Sequence, residues 1–239
     1  MQCETAVRPA VAGDVGELSA LLAEAFVSNP VASWLIGGVA ARYTTFLRVF
    51  EVELTQALSH GIVRVAGDGA GVAVWQPYPM VLETVTAHDR ALLGAVGIYR
   101  RRFAHLRAAR DEHRSAALRL PTGPDRPERP DQRAEATEVA VAAGEAGETT
   151  EVAGHELVWW AAAPWLRRRR IGAALLDDHQ RRLDAAGLVG HTVTDEPYVR
   201  DLLARHGWRT PGPRHLSPAG PPLWSMRREP GAVRRGYGR

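Results

Sequence analysis

The sequence predicts an α/β protein whose mixed central sheet of six to seven strands is flanked by helices. Two observations carry that expectation. Apolar runs of strand type alternate with runs of helical spacing in the order β-α-α-β-β-α, then, after a long irregular stretch, β-α-β-α-β-β. The second half also contains a strand-turn-helix unit over residues 156–186 in which small residues open the helix.

Residues 5–9 alternate apolar and polar side chains, as a short strand does. Asp14 is placed to cap a helix running to Phe26, with Leu18, Leu21, Leu22, Ala25 and Phe26 as its apolar stripe. Asn29-Pro30 breaks that helix. Residues 40–60 form the next, with Tyr43, Phe46, Leu47, Phe50 and Leu54 at helical spacing and His60-Gly61 at its end. Two β-rich runs, 62–66 and 70–75, flank Gly67-Asp68-Gly69, which predicts a hairpin. Gln76-Pro77 ends the second of them.

Residues 81–110 read as one helix on the spacing of Leu92, Leu93, Val96, Tyr99, Phe103 and Leu106. From 111 to 154 the pattern dissolves. Pro121, Pro124, Pro127 and Pro130 sit among charges, and an Ala/Glu/Gly/Thr-rich stretch follows. This is expected to be a mobile insertion before the fourth strand of a single domain spanning 1–239, with at most a weakly packed helix at 133–143.

The second half is sharper. Residues 156–162 are continuously apolar after Glu156, as a strand buried on both faces should be. Pro164 ends it, and a helix follows over 170–186, closed by Gly187. Residues 188–194 are a strand, Pro197 opens a helix that His206-Gly207 closes, and 223–227 are a last short strand.

Composition excludes several classes. Of 239 residues, 45% are hydrophobic and 24% charged, which is ordinary for a globular protein. The lone Cys3 cannot form an internal disulfide. No apolar run approaches the ~20 residues a membrane span needs, and residues 1–15 lack the basic-then-apolar order of a leader. A cytoplasmic protein without a membrane partner is expected. All 30 basic residues are arginine, as suits a GC-rich genome, and the net charge is only +3. That is weak evidence for a nucleic-acid partner. The nine histidines are scattered without ligand spacing, so no metal is expected. No P-loop or Rossmann fingerprint is present.

The 156–186 unit carries the functional signal. Gly172, Ala173 and Ala174 let the first helical turn approach a ligand closely. That turn presents unpaired N–H groups and a partial positive charge, which suits phosphate. Arg167, Arg168, Arg169 and Arg170 add four cations at the same corner.

The run from Pro164 to Leu176 resembles the donor-binding motif of the GNAT acyltransferases, Q/R-x-x-G-x-G/A followed by small residues and leucines. Arg167 stands at the Q/R position and Gly172 at the G/A position. Downstream, Thr194-Asp195-Glu196-Pro197 resembles that family's T-S-x-P, Arg205-His206-Gly207-Trp208 its R-x-G-F, and Leu223-Trp224-Ser225-Met226 its final strand. In the first half, Val7-Arg8-Pro9-Ala10, Phe26 with Asn29-Pro30, and residues 71–75 also fit. Within the family the likeness is to the actinobacterial branch that includes puromycin N-acetyltransferase.

The resemblance implies an N-acyltransferase that moves an acyl group, most simply acetyl, from acetyl-CoA or another phosphopantetheine thioester to a small-molecule amine. Antibiotic resistance and secondary metabolism are the settings of that branch. It implies donor contacts from Trp160, Ala161, Ala162, Arg167, Arg168, Arg169, Arg170, Ile171, Gly172 and Ala173. Glu156 stands where histone-modifying members carry their base, and burial beside Trp159 or Trp160 is expected to raise its pKa. Asp195 and Glu196 are further carboxylates for binding or deprotonating a cationic amine, and His206 is an acid candidate.

Three departures stand out. Arg170 replaces the first glycine of the donor loop, Val199 replaces an asparagine, and Leu203 replaces the tyrosine that protonates the leaving thiolate. They leave two alternatives open. One is a donor carried by an acyl carrier protein or an aminoacyl-tRNA, gripped by the arginine run. The other is a GNAT-fold protein without catalysis. A homodimer is also left open.

Overall fold

The computed structural model describes residues 5–78, 82–118, 154–163 and 171–231. Seven strands, β1 (Val7–Pro9), β2 (Ile62–Ala66), β3 (Gly71–Tyr78), β4 (Gly154–Ala162), β5 (Val189–Thr194), β6 (Pro213–His215) and β7 (Pro222–Arg228), form one sheet in the order β1-β2-β3-β4-β5-β7-β6. Every neighbouring pair is antiparallel except β4 and β5. That parallel pair is joined by helix α6 (Ile171–Ala186), as a parallel connection requires. Among the described residues the other helices are α1 (Val15–Phe26), α2 (Pro30–Leu35), α3 (Val39–His60), α4 (Leu82–Val96), α5 (Arg100–Leu118) and α7 (Pro197–Arg205).

The sheet is buried on both faces. Strand alternation sends Val72 and Val74 of β3 to one side, where they pack with Leu18, Leu22, Phe50 and Leu54 of α1 and α3 and with residues of α4 and α5. Ala73 and Trp75 point to the other side, against Leu175, Leu176 and Leu183 of α6 and Leu203 of α7. Trp75 is fully buried, and its ring stacks on His179 with centroids 4.0 Å apart.

The expected elements are present, with four differences. The helix read over 81–110 is two, because Gly97 takes a left-handed φ of +54° that breaks the run. Its second part, α5, continues to Leu118, so the first residues read as insertion are helical. The 133–143 helix lies outside the described residues. Asn29-Pro30 ends α1 but also starts α2: Asn29 Oδ1 accepts the N–H groups of Val31 and Ala32, at 2.9 and 3.2 Å, with Pro30 in the first turn. Asp14 precedes α1 without capping it. Its carboxylate takes the Val11 N–H at 2.8 Å and pairs with Arg8, and these contacts, Arg8 foremost, hold its pKa at about 2.

Gly154 sets the closest approach of β4 to β5. A Cβ there would lie 2.3 Å from the Val189 carbonyl oxygen, a main-chain atom that cannot swing aside. Gly154→Ala is therefore expected to lower stability by about 1–3 kcal/mol, the usual cost of overpacking. Urea denaturation monitored by circular dichroism checks it.

Candidate active site

β4 and β5 pair only through Gly154↔Val189, His155↔Gly190 and Glu156↔His191. At the next position the Thr192 hydroxyl donates to the Leu157 carbonyl at 2.6 Å. Beyond it no ladder pair links the two strands and they part. β4 is also bulged: Val74 opposes Trp159 and Trp75 opposes Leu157, which leaves Val158 unopposed. A bulge bends its strand and shifts the side-chain alternation by one. Accordingly Leu157 joins the core under α6, while Trp159, two residues on, packs on the opposite face.

The wedge between the strands is a cleft lined by residues 157–160 of β4 and 192–196 at the end of β5. Its wall on the α1, α3 and α5 side is apolar, built from Phe26, Phe46, Phe103 and Leu106, and Arg110 also lines it. Trp159 stands edge-on to Phe26 and Phe50, with centroids 5.3 and 5.0 Å away. The opposite wall presents Val199 and Leu203 from α7. Leu203 is fully buried. The position at which the sequence resemblance expects a tyrosine is thus an aliphatic wall with no proton to give. His206 does not replace it: it is buried outside the cleft lining, with Nδ1 3.2 Å from Asp177 of α6.

The three carboxylates are held differently. Glu156 is buried, and Arg114 of α5 donates to its Oε2 from Nε at 2.8 Å and Nη2 at 2.7 Å. Arg110 stands 3.8 Å from Oε1. Burial pushes the Glu156 pKa up, but Arg114, His191 and Arg110 outweigh it and the carboxyl is held below its ordinary value. The sequence-based expectation of a raised pKa is therefore corrected, because α5 delivers two guanidinium groups to it. Glu156 is not among the residues lining the cleft.

Asp195 lines the cleft but is occupied: Oδ1 accepts from Asn29 Nδ2 at 2.9 Å and Oδ2 from the Val31 N–H at 2.8 Å. It ties the α1–α2 corner to the end of β5. Glu196 also lines the cleft and is half-buried, and among the described residues its carboxylate has only a long contact of 3.5 Å from Asn29 Nδ2. Burial first, and the neighbouring Asp195 charge second, raise its pKa. Of the three, Glu196 combines access to the cleft with an environment that favours taking a proton.

The donor corner is described in part. Trp160 borders the cleft, and its indole packs on the first turn of α6, where a Cβ on Gly172 would lie 2.7 Å from the ring. Ala161 and Ala162 continue β4 beyond the bulge, with the Ala161 side chain in the α1–α3 core. The Ile171 side chain is buried against Gly71 of the β2–β3 hairpin, which leaves only its main chain for a ligand. Ala173 follows Gly172 in the first turn of α6. Arg167, Arg168, Arg169 and Arg170 lie outside the described residues. A thioester arm fits the residues that are described in one respect: the β5-facing edge of β4 is free of ladder pairing beyond the bulge.

Four polar residues at the site escape a sequence reading: Arg110 and Arg114, His191 and Thr192. His191 is buried on the Glu156 face, and among the described residues neither ring nitrogen has a hydrogen-bond partner. Burial, opposed by Glu156, holds its pKa at about 4, so it is neutral at ordinary pH. On the other face His155 Nδ1 lies 2.9 Å from His179 Nε2. His155 thus points away from Glu156, as strand alternation expects. Among the described residues there is no group of His, Cys, Asp and Glu that would hold a metal, and no helix is long and apolar enough to cross a membrane.

A seven-stranded mixed sheet with parallel central strands that part around a bulge is the fold of the GNAT acetyltransferases, and the chain aligns with such structures along nearly its whole length. The crystal structure of a histone acetyltransferase HPA2 and related acetyltransferase from Corynebacterium glutamicum is similar with a TM-score of 0.61 at 18% identity, covering 96% of this chain and 98% of that one. The C-terminal condensation domain of Ebony, in complex with beta-alanyl-dopamine, gives 0.57 at 12% identity, covering 94% and 98%. Arylalkylamine N-acetyltransferase 2 from Aedes aegypti gives 0.55 at 11% identity, covering 94% and 98%. No protein-family model and no curated protein matches the sequence.

Proposed function

We propose that this chain is an N-acyltransferase that moves an acyl group, most simply acetyl, from a coenzyme A thioester to the amine of a small molecule. The observation that carries the reading is the parted β4–β5 cleft with the half-buried Glu196 at its rim. Acetyl-CoA supplies the activated acyl carbon, and the first turn of α6 with the edge of β4 would hold it. Within the cleft Glu196 takes the proton that the amine sheds as its nitrogen bonds the acyl carbon and the carbon–sulfur bond breaks. The sulfur keeps the electron pair. With Leu203 at the α7 wall, its proton comes from solvent, which suits a thiol of pKa near ~8.5. A structure of similar fold named an arylalkylamine N-acetyltransferase supports a small amine as acceptor.

A second reading has its own support. Arg170 replaces the first glycine of the donor loop and completes a run of four arginines, and the Ebony domain of similar fold is named a condensation domain. On that reading the thioester or ester donor rides on an acyl carrier protein or an aminoacyl-tRNA. Titration calorimetry separates the two. Micromolar binding of acetyl-CoA is expected on the first reading. No binding of acetyl-CoA, with salt-sensitive binding of a carrier protein or tRNA, overturns it in favour of the second. Silence in both leaves a protein of this fold without catalysis.

A further inference from the structure

The α5 side of the cleft carries a cation that acyl transfer does not use. Arg110 and Arg114 lie one helical turn apart on α5 and both face Glu156. Arg114 satisfies that carboxylate, with two N–H groups on Oε2 at 2.7 and 2.8 Å. Arg110 is left 3.8 Å from Oε1, too far for a hydrogen bond, with its guanidinium carbon 5.1 Å from the centroid of the Trp159 ring. Among the described residues it has no hydrogen-bond partner, and it is the arginine of the pair that lines the cleft. A guanidinium laid against an aromatic face beside an apolar pocket is oriented and partly dried, with its N–H fork unspent.

The rest of the cleft complements that cation. Phe26, Phe46, Phe103 and Leu106 form an apolar wall, and Glu196 stands in the same lining with an acidic oxygen for an amine. From this we infer that the acceptor is an amine carrying a carboxylate on an apolar body, an apolar amino acid or a close relative, with Arg110 binding the carboxylate, the aromatic wall the body, and Glu196 the amine. This inference rests on the acyltransferase reading. It sets the chain apart from enzymes for simple alkylamines, which leave Arg110 unpaired, and from enzymes for polyamines, which Arg110 repels.

Matched pairs test it: L-phenylalanine with 2-phenylethylamine, L-leucine with 3-methylbutylamine, and L-tryptophan with tryptamine, each offered with acetyl-CoA while thiol release is followed. For at least one pair the amino acid is expected to exceed its decarboxylated partner in kcat/KM by about tenfold or more, the scale of one charge-assisted contact. An α-ammonium loses its proton more readily than an alkylammonium, so the wild-type ratio is read against that of Arg110→Leu. The variant is expected to raise KM for the amino acid and bring each ratio down about tenfold, with Arg110→Lys recovering part of the loss. Circular dichroism verifies that both variants fold.

A decarboxylated partner that wins in every pair, or a ratio that Arg110→Leu does not move, overturns the inference and leaves the acyltransferase reading standing. Acetyl-CoA binding without turnover of any amino acid overturns it likewise. Failure of acetyl-CoA to bind in the calorimeter defeats the donor reading itself, and the inference with it.

Discussion

Replacing Glu196 with glutamine is expected to lower kcat/KM for amine acetylation by about 10²-fold or more, the scale of a lost general base, with acetyl-CoA affinity unchanged. The substitution keeps the shape and the contact to Asn29 while removing the proton acceptor. The pH profile gives the sharper readout. The folded environment raises the Glu196 pKa, by burial first and by Asp195 second. The base is active only when ionised, so wild-type kcat/KM falls as pH drops through that raised value. In Glu196→Gln that acidic limb disappears. A variant that keeps both its rate and its limb removes Glu196 from the chemistry.

Glu156→Gln is expected to act on stability instead. It leaves Arg114 and Arg110 converging on a neutral amide beside the buried His191 ring. Breaking a buried ion pair costs about 3–5 kcal/mol. Arg114 keeps 25% of its side chain exposed and Arg110 17%, and solvent screening brings the expected loss to the bottom of that range or just under it, about 2–3 kcal/mol. The sign with pH follows from the direction of the shift. The folded Glu156 pKa lies below its ordinary value, so the stabilisation is in full at neutral pH and is lost as pH falls through that lowered value. Urea titrations at neutral and acidic pH check this: the gap between wild type and variant is expected to narrow in acid. If the variant is as stable as wild type but inactive, Glu156 is the base and Glu196 is not.

The contrast between these two glutamates locates what a linear sequence conveys. Both are carboxylates at strand ends, equally eligible on paper. The partner that decides Glu156 is Arg114, 42 positions away on a helix whose sheet-facing side is polar there. Because Arg110, His113 and Arg114 meet Glu156 and Ser225 and not an apolar core, no hydrophobic period marks α5 beyond Leu106. The helix therefore reads as ending early. Gly97 is missed for the converse reason: Leu92, Val96, Phe103 and Leu106 keep helical spacing across the break. Six of the seven strands and the β2–β3 hairpin are legible because alternation and the Gly67-Asp68-Gly69 turn are local signals, while the three-residue β6 between Gly212 and Leu216 is too short to show a period. Asp195 and Glu196 sit side by side in the chain, and only the return of Asn29 and the Val31 N–H to one of them leaves the other disengaged.

The bulge at Val158 has a consequence for how this gene tolerates change. In an unbroken strand, residues 156 and 159 differ by an odd number and would look in opposite directions. The extra residue restores parity, so that Glu156 and Trp159 both turn toward α5 and Arg110 reaches the two at once. What matters at position 158 is that a residue is present, more than which residue it is. A swap of one aliphatic side chain for another there is a minor edit. A single-codon deletion would leave a regular strand in the same β3 register with every side chain on its present face, and what is lost is the bend that the extra residue puts into β4.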